Sequence, residues 1–151
     1  MKTSSVRGKM AVKRDPEDIA FSNAIRESYD YTCYNCGFNG RHDTRQIHCA
    51  HVHTRKHRAT RWCADFGAVC LCAKCHRRFT DFPVEWGDFL RERWGDKHYD
   101  EAKSRAWSVC KLTSGCKEAI AKHYREEVKR IEKLRAEGET GIIKLINYER
   151  E

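Results

Sequence analysis

The sequence lacks several features that would assign the chain to familiar classes of protein. It contains no run of about 18 or more apolar residues, the length that a membrane-spanning helix needs, and no hydrophobic signal segment follows Met1–Ser5. It also has no internal repeat, no glycine-rich phosphate loop and no low-complexity tract. We therefore expect a cytoplasmic protein, in a reducing compartment where disulfide bonds are rare.

Size and charge limit the number of domains and the kinds of partner that we expect for this chain. The chain has 151 residues, which is typical of one domain with appendages. Its 30 lysines and arginines exceed its 22 acidic residues, so its net charge is +8. This excess is expected of a protein that binds a polyanion. Nucleic acid is the leading partner, an acidic membrane surface is the weaker alternative, and we expect no membrane association.

The nine cysteines need an explanation other than disulfide bonds, because an odd number in a reducing compartment favours metal binding. Cys33 and Cys36 form one C-x-x-C pair, and Cys72 and Cys75 form another, with 35 residues between the pairs. Two such pairs provide the four thiolates that zinc prefers in closed structural sites. Gly37 suits the turn after the first pair. The sequence therefore predicts a structural zinc ion, and the alternative is four buried free cysteines.

The periodicity of apolar residues predicts mostly helices with two short strands. The first helix begins at the Asp15-Pro16 pair, runs to about Tyr29 and is expected to bury Ile19, Ala20, Phe21 and Ile25. The further predicted elements are strands over Arg45–Val52 and Ala68–Leu71, a helix after Cys75, and helices over Pro83–Trp94, Asp96–Cys110 and Ser114–Ala136. The tail Ile142–Tyr148 is expected to form a short strand or helix.

The longest predicted helix carries an apolar stripe at helical spacing. Its members are Ile120, Tyr124, Val128, Ile131 and Leu134. Such a stripe is first of all a packing surface within the chain. The alternative is a homodimer seam or another partner site. A homodimer would suit a DNA junction that has two symmetric strands.

Two histidines between and after the cysteine pairs are candidates for chemistry. His51 lies at the end of the first predicted strand, and His76 directly follows the last zinc cysteine. A histidine can act as a general base near neutral pH, and a second can bind a divalent ion that stabilises charge on a phosphate. A zinc ion that joins the strand to the helix is expected to hold both histidines in one cleft. The alternative is that both are structural.

A dense group of cations surrounds these histidines in the sequence. Arginines at this density suit the binding of DNA phosphates, which gives affinity but little base specificity. The candidate DNA-binding residues are Arg55, Lys56, Arg58 and Arg61 in the loop after His51, and Arg77 and Arg78 after His76. The alternative is a solvated basic loop.

Together, these motifs resemble the HNH (ββα-metal) endonucleases, and most closely the NinG (Rap) recombination endonucleases of lambdoid phages. The resemblance covers roughly Ile19–Lys111. The residues that carry it are Cys33, Cys36, Cys49, Ala50, His51, Arg55, His57, Arg61, Trp62, Cys72, Cys75 and His76, with Phe89, Leu90, Arg91, Trp94, Gly95, Tyr99 and Asp100 beyond the core.

The resemblance implies an α+β fold, with a zinc-stapled ββα-metal (His-Me finger) core and additional N- and C-terminal helices. Residues 1–14, which contain five lysines and arginines, are expected to form a flexible basic arm; the nuclease core would then span 15–111, and a C-terminal helical extension 112–151. It further implies that His51 is the general base and that His76 binds a catalytic Mg²⁺ or Mn²⁺. The expected substrate is branched recombination DNA of the Holliday-junction or D-loop type, in the cytoplasm of a phage's bacterial host.

Two positions depart from the family pattern. Gly67 stands where the family usually has an asparagine that braces the catalytic loop, so bracing must come from elsewhere. Ala50 stands where many members have a metal-binding acid or histidine. Asp65, His53 and His57 are the candidates for the missing ligand, and the sequence does not choose among them.

Other interpretations remain open from the sequence. The chain is alternatively a non-catalytic zinc-ribbon module that binds DNA or mediates recombination, or an HNH nuclease for packaging or restriction. The four tryptophans are expected in the core rather than stacked on unpaired bases. Most of the remaining cysteines are expected to be small core residues, although Cys49 is alternatively a metal ligand together with His51.

Overall fold

A computed structural model describes residues 14–149, so the predicted arm lies outside the described residues except for Arg14. The fold is mixed α+β, mostly helical, with one two-stranded sheet. The elements in chain order are α1 (Pro16–Ser28), β1 (Ile47–His51), α2 (Arg58–Arg61), β2 (Ala68–Cys72), α3 (Ala73–Asp81), α4 (Pro83–Trp94), α5 (Asp96–Ala106) and α6 (Ser114–Ala136). Within residues 14–149, no helix combines the length and the apolar character needed to cross a membrane.

The centre of the fold is an antiparallel hairpin followed directly by a helix. Strand β1 pairs with β2 so that Ile47 lies opposite Cys72 and His51 lies opposite Ala68. Helix α3 begins at Ala73, immediately after β2, and the Cys72 thiol caps it by accepting a hydrogen bond from the backbone N–H of Cys75. Strand and helix are therefore joined without a loop.

Helices α1 and α6 pack against each other beside this hairpin. The Phe21 ring of α1 meets the Tyr124 ring of α6 edge to face, with 5.0 Å between ring centroids. The prediction that Ile19 is buried is wrong, because its side chain is 45% exposed. The predicted burial of Ala20, Phe21 and Ile25 is confirmed, and Ala24 completes the same buried helix face.

The bounds predicted for α6 are confirmed, and so is the packing interpretation of its stripe. Ile120, Tyr124 and Ile131 are buried, and Val128 and Leu134 pack against the same core. Because α1 covers this face, the alternative use of the stripe as a dimer seam loses its support. Helix α6 and the residues before 112 share one hydrophobic core.

The tail after α6 forms neither the strand nor the helix that we predicted. Ile143 and Leu145 are buried, so the tail packs as extended chain. Its backbone bonds go to other partners: the N–H of Ile143 donates to the Ser28 carbonyl (2.9 Å), and that of Ile146 donates to the Glu127 carboxylate (2.9 Å). These partners satisfy the backbone groups that a strand would have needed to pair.

The tryptophans divide into core residues and one exposed residue. Trp62 is buried, and Trp86 and Trp94 pack against the core, as expected. Trp107 follows α5 and is 76% exposed, which corrects the prediction of a core residue at that position. Its indole lies 5.5 Å from the His57 ring, centroid to centroid.

Candidate active site and metal centre

The two cysteine pairs converge on one point at the junction of β2 and α3. The four sulfur atoms of Cys33, Cys36, Cys72 and Cys75 lie within 4.8 Å of one another. The Cys36 and Cys72 sulfurs are 3.7 Å apart. Four sulfurs at about 2.3 Å from a tetrahedral zinc ion would be separated by about 3.8 Å. The residues therefore fit a structural metal such as zinc.

Neighbouring groups hold this cluster in place. The Asn35 amide donates to the Cys75 sulfur at 3.3 Å, which is a contact that suits a thiolate. Gly37 has φ = +78°, a left-handed conformation that favours glycine and turns the chain after Cys36. The N–H of Tyr34 donates to the Cys70 carbonyl at 2.8 Å, which ties the first cysteine pair to β2.

His76 extends from the first turn of α3 towards β1. Its Nδ1 atom lies 2.9 Å from Nδ1 of His48, and the two rings meet edge to face at 5.1 Å. The Nε2 atom of His48 lies 3.2 Å from the Arg45 carbonyl. Burial, and then the proximity of His48, lower the pKa of His76 below its ordinary value. Sequence reasoning missed His48, because a histidine within a half-buried strand is more often structural than functional.

His51, the predicted base, faces a different environment. Its Nε2 atom lies 3.1 Å from the Arg61 carbonyl, and its ring lies 5.9 Å from that of Phe21. Because a carbonyl only accepts, Nε2 carries the proton and the lone pair lies on Nδ1. Burial lowers the pKa of His51; the charges of Arg55 and Arg61 act in the same direction, while the Arg61 carbonyl and Asp18 oppose it.

The structure does not bring His51 and His76 together in the way that we expected. His48 and His51 are three positions apart on β1, so their side chains leave opposite faces of the strand. His76 contacts His48 on one face, while His51 contacts Phe21 and Arg61 on the other. The expectation of one cleft shared by His51 and His76 is corrected accordingly.

The basic loop is held by Asp18, an acid in the first turn of α1. Asp18 accepts two hydrogen bonds from the Arg61 guanidinium (2.6 and 3.1 Å) and one from the Trp62 indole (3.0 Å). Its side chain is 10% exposed, and that of Arg61 is 19% exposed. Arg61 is thus held within the fold, which does not suit its predicted contact with DNA. No local sequence signal identifies Asp18, because α1 and the loop meet only in the fold.

The other predicted DNA-binding residues lie at the surface. Arg55 is mostly exposed, with its guanidinium 4.0 Å from Asp18, and Lys56, Arg58 and Arg77 are exposed. Arg78 is exposed and paired with Glu85 at 3.1 Å. These side chains are accessible to a polyanion, whereas Arg61 is largely enclosed.

The three candidates for the missing metal ligand, Asp65, His53 and His57, contact neither His51 nor His76 among the described residues. The Asp65 carboxylate is 3.7 Å from the Lys144 ammonium. Nδ1 of His57 lies 3.0 Å from the Ala106 carbonyl, and Nδ1 of His53 is buried with no hydrogen-bond partner among the described residues. Across residues 14–149, no hydrogen bond or ring contact joins any of the three to His51 or His76.

The structure bears on two questions that the sequence left open, the glycine at position 67 and the alternative role of Cys49 as a metal ligand. A Cβ atom on Gly67 would lie 2.2 Å from the Thr60 carbonyl oxygen and 2.5 Å from that of Cys63, so this backbone has no room for an asparagine. Burial raises the pKa of the Cys49 thiol to about 12, and Cys49 does not belong to the four-cysteine cluster. The remaining cysteines divide between buried Cys63 and Cys70 and half-buried Cys110 and Cys116.

Comparison of the chain with known protein families, with curated proteins and with solved structures found no match.

Proposed function

We propose that this chain is a metal-dependent DNA endonuclease of the HNH type, which hydrolyses phosphodiester bonds of branched DNA. One observation carries the proposal: a β-hairpin runs without a loop into a helix, a four-cysteine cluster joins them, and a histidine with a free Nδ1 lone pair lies at the end of the first strand. This arrangement of strand, metal and helix supports a ββα-metal core.

The environment of His51 suits a general base. Its Nε2 proton is donated to the Arg61 carbonyl, so Nδ1 is the atom that accepts a proton from water. The lowered pKa keeps the ring neutral at neutral pH. Arg61 is in turn held by Asp18, so a chain of contacts from α1 orients the base. This carbonyl takes the bracing role that the family assigns to an asparagine.

A divalent ion near His76 would lie on the face of β1 opposite His51, where it would supply positive charge to a DNA phosphate. Mg²⁺ or Mn²⁺ is the ion implied by the family resemblance. In this chain His76 stands on α3, directly after a cysteine of the cluster, so a metal held by the four cysteines would fix its position.

Surface charge and one exposed aromatic residue support a branched substrate. The net charge of +8 and the exposed cations after β1 suit phosphate binding. Trp107 is 76% exposed and lies beside His57 of the same basic loop. An exposed indole beside cations is suited to stack on an unpaired base at a branch point.

The separation of His51 from His76 favours a second candidate, a zinc-ribbon module that binds DNA without cutting it. In that case, both histidines are structural: one orders the loop through Arg61, and the other packs on His48. The two candidates differ in whether DNA is cleaved.

Cleavage of labelled four-way junction, flap and duplex DNA, each with Mg²⁺, Mn²⁺ or EDTA, tests the proposal. The variants are His51→Ala and a matched control, His42→Ala, whose side chain is exposed. We expect metal-dependent cutting that His51→Ala loses by at least about 100-fold and the control retains. Tight binding with no cutting under any ion would replace the nuclease with the binding module.

The same assay tests the substrate preference. Trp107→Ala is expected to weaken junction binding by about 10-fold and duplex binding much less, because stacking contributes about 1–3 kcal/mol per unpaired base. Val109→Ala, at an exposed apolar residue nearby, is the control. Equal losses on junction and duplex would assign Trp107 to general DNA affinity, and equal cutting of all three DNAs would remove the preference for branches.

A further inference from the structure

We propose that Nδ1 of His48 and Nδ1 of His76 bind one divalent transition-metal ion, distinct from the metal of the four cysteines. The inference deepens the proposed function and rests on it for the role of the ion. Because the pair lies on the face of β1 opposite His51, the ion would bind a DNA phosphate on that face rather than the water that His51 activates. It also names a ligand, His48, that the family pattern did not suggest.

The spacing of the two nitrogens fits a shared ion. They lie 2.9 Å apart. Two imidazole nitrogens at about 2.1 Å from one ion are separated by about 3.0–3.4 Å at octahedral or tetrahedral angles. To bind one ion, the two nitrogens therefore need to move apart by only about a few tenths of an ångström, which rotation of the two rings allows.

The contact of His48 with Arg45 sets the correct tautomer for metal binding. The Arg45 carbonyl lies 3.2 Å from Nε2 of His48, so Nε2 carries the proton and the Nδ1 lone pair faces His76. Donation of the second ring N–H to a carbonyl is the usual arrangement around metal-binding histidines. In the metal-free protein, His76 Nδ1–H donates to this lone pair. When the ion binds, that proton leaves Nδ1, and neutral His76 carries its proton on Nε2.

Both ligands stand on elements that the cysteine cluster holds together. His48 is the second residue of β1, and its neighbour Ile47 pairs with Cys72 of the cluster. His76 directly follows Cys75. The relative position of the two rings would therefore be fixed by a metal in the cysteine cluster rather than by a flexible loop.

The pair also accounts for the missing ligand at Ala50. Residues 48 and 50 share a face of β1 because side chains alternate along a strand. His48 thus offers a nitrogen on the face where Ala50 has none. Asp65, His53 and His57 contact other groups and are not needed for this role.

The nature of the ligands selects the class of ion. Imidazole nitrogens suit Co²⁺, Ni²⁺ and Zn²⁺, and Mn²⁺ accepts them more readily than Mg²⁺, which prefers oxygen ligands. With two protein ligands, several coordination positions stay open for water and phosphate oxygens. We therefore expect cleavage to be supported by Mn²⁺ or Co²⁺ better than by Mg²⁺.

The test uses the full chain carrying one zinc ion per protein and measures binding of added Co²⁺ by calorimetry and by visible absorption. We expect one further Co²⁺, with a spectrum that lacks the thiolate-to-cobalt charge-transfer band of a cysteine site. His48→Ala and His76→Ala should each weaken this binding by at least about 10-fold. His42→Ala is the control. Zinc content and far-ultraviolet circular dichroism identify any variant that fails to fold, and His48→Phe, which keeps a ring without a ligand atom, then replaces His48→Ala.

The outcomes separate this proposal from the proposed function. Absence of a second Co²⁺ in the wild type, or equal binding by a folded His48 variant, overturns the site. If the wild type binds Co²⁺ through this pair but cuts no DNA, the site stands and the nuclease proposal fails. If the protein cuts DNA with Mg²⁺ and the His48 variant binds and cuts as the wild type does, the nuclease stands and the site fails. His51→Ala should bind Co²⁺ normally in either case.

Discussion

His51 shows how one contact sets the chemistry of a residue. Burial is the main cause that lowers its pKa below the ordinary value near 6.5, so the neutral ring persists to lower pH than in a free histidine. A general base works in its neutral form, so cleavage should fall only when the pH drops below 6.5. We expect a ring-proton NMR titration of the zinc-bound protein to give a midpoint for His51 below 6.5.

The ring signal that disappears in the His51→Gln variant is the resonance of His51. The groups that face His51 are Asp18, Arg55 and Arg61, and removing the negative charge in Asp18→Asn should move the midpoint lower still. A midpoint at or above 6.5 in the wild type would contradict the burial of the ring.

Gly67 is a position where size alone decides stability. In Gly67→Ala, the new Cβ would lie 2.2 Å from the Thr60 carbonyl oxygen, and that oxygen is backbone and cannot rotate away. We expect a loss of about 1–3 kcal/mol in the free energy of unfolding, measured by urea denaturation. Gly115→Ala on α6 is the matched control: its nearest neighbour would be the Thr113 hydroxyl at 3.8 Å, so it should be neutral or slightly stabilising. Equal effects at both glycines would contradict the steric explanation.

At the scale of single residues, the cysteines could be predicted and the histidine contacts could not. The C-x-x-C spacing is a local pattern that identifies four ligands, and the structure brings those four sulfurs together. The pairing of His48 with His76 depends on which face of β1 meets α3, and that follows from the strand register and the packing of the helix. The hydrogen bond from Arg61 to Asp18 likewise joins residues that are 43 positions apart in the sequence.

The link between α1 and the basic loop controls how the elements around His51 fit together. Asp18→Ala removes the acceptor of three hydrogen bonds and leaves Arg61 and the Trp62 indole without their partner. Removing one member of a largely enclosed ion pair is costly, so we expect a loss of about 2–3 kcal/mol in the free energy of unfolding by denaturant titration.

Glu85→Ala is the control for this prediction. Glu85 pairs with Arg78, but both side chains are largely exposed, so the loss should stay below about 1 kcal/mol. If Asp18→Ala costs no more than Glu85→Ala, the enclosed pair does not hold the loop against α1.

Elements with local end signals could be predicted, and those without could not. Helix α6 starts after Thr113, whose hydroxyl accepts from the N–H of Cys116, and α4 ends at Gly95 with φ = +81°. The tail 142–149 has apolar residues of no clear period, and its conformation depends on partners from α1 and α6. The short helix α2 was missed because four residues are too few to show a period.

At the scale of the whole molecule, one continuous core limits how independently its parts can behave. Buried residues of α1, β1, β2, α3, α4 and α6 form a single cluster, which includes Cys33, Cys72 and Cys75. The sequence predicted the mixed class and the order of the main elements. It did not predict that α6 and the tail would share a core with α1, since nothing local indicates which helix faces pair.

This shared core predicts the response to metal removal. A structural zinc site contributes on the order of 10 kcal/mol, which is comparable to the total stability of a domain, about 5–15 kcal/mol. Chelation should therefore unfold the hairpin and, through the common core, loosen the packing of α1 on α6. We expect tryptophan fluorescence and far-ultraviolet circular dichroism to change together during titration with a chelator.

Cys72→Ser should lose zinc and show the unfolded signals without chelator, because Cys72 both contributes a ligand and caps α3. Cys110→Ser, at a half-buried cysteine outside the cluster, should bind zinc and melt as the wild type does. If the helical signal survived chelation while the fluorescence changed, α1 and α6 would form a unit that is stable without the metal centre. Coincident transitions would instead mean that the metal which positions His48 and His76 also maintains the helices that orient His51, so that loss of one ion disables both faces of β1 at once.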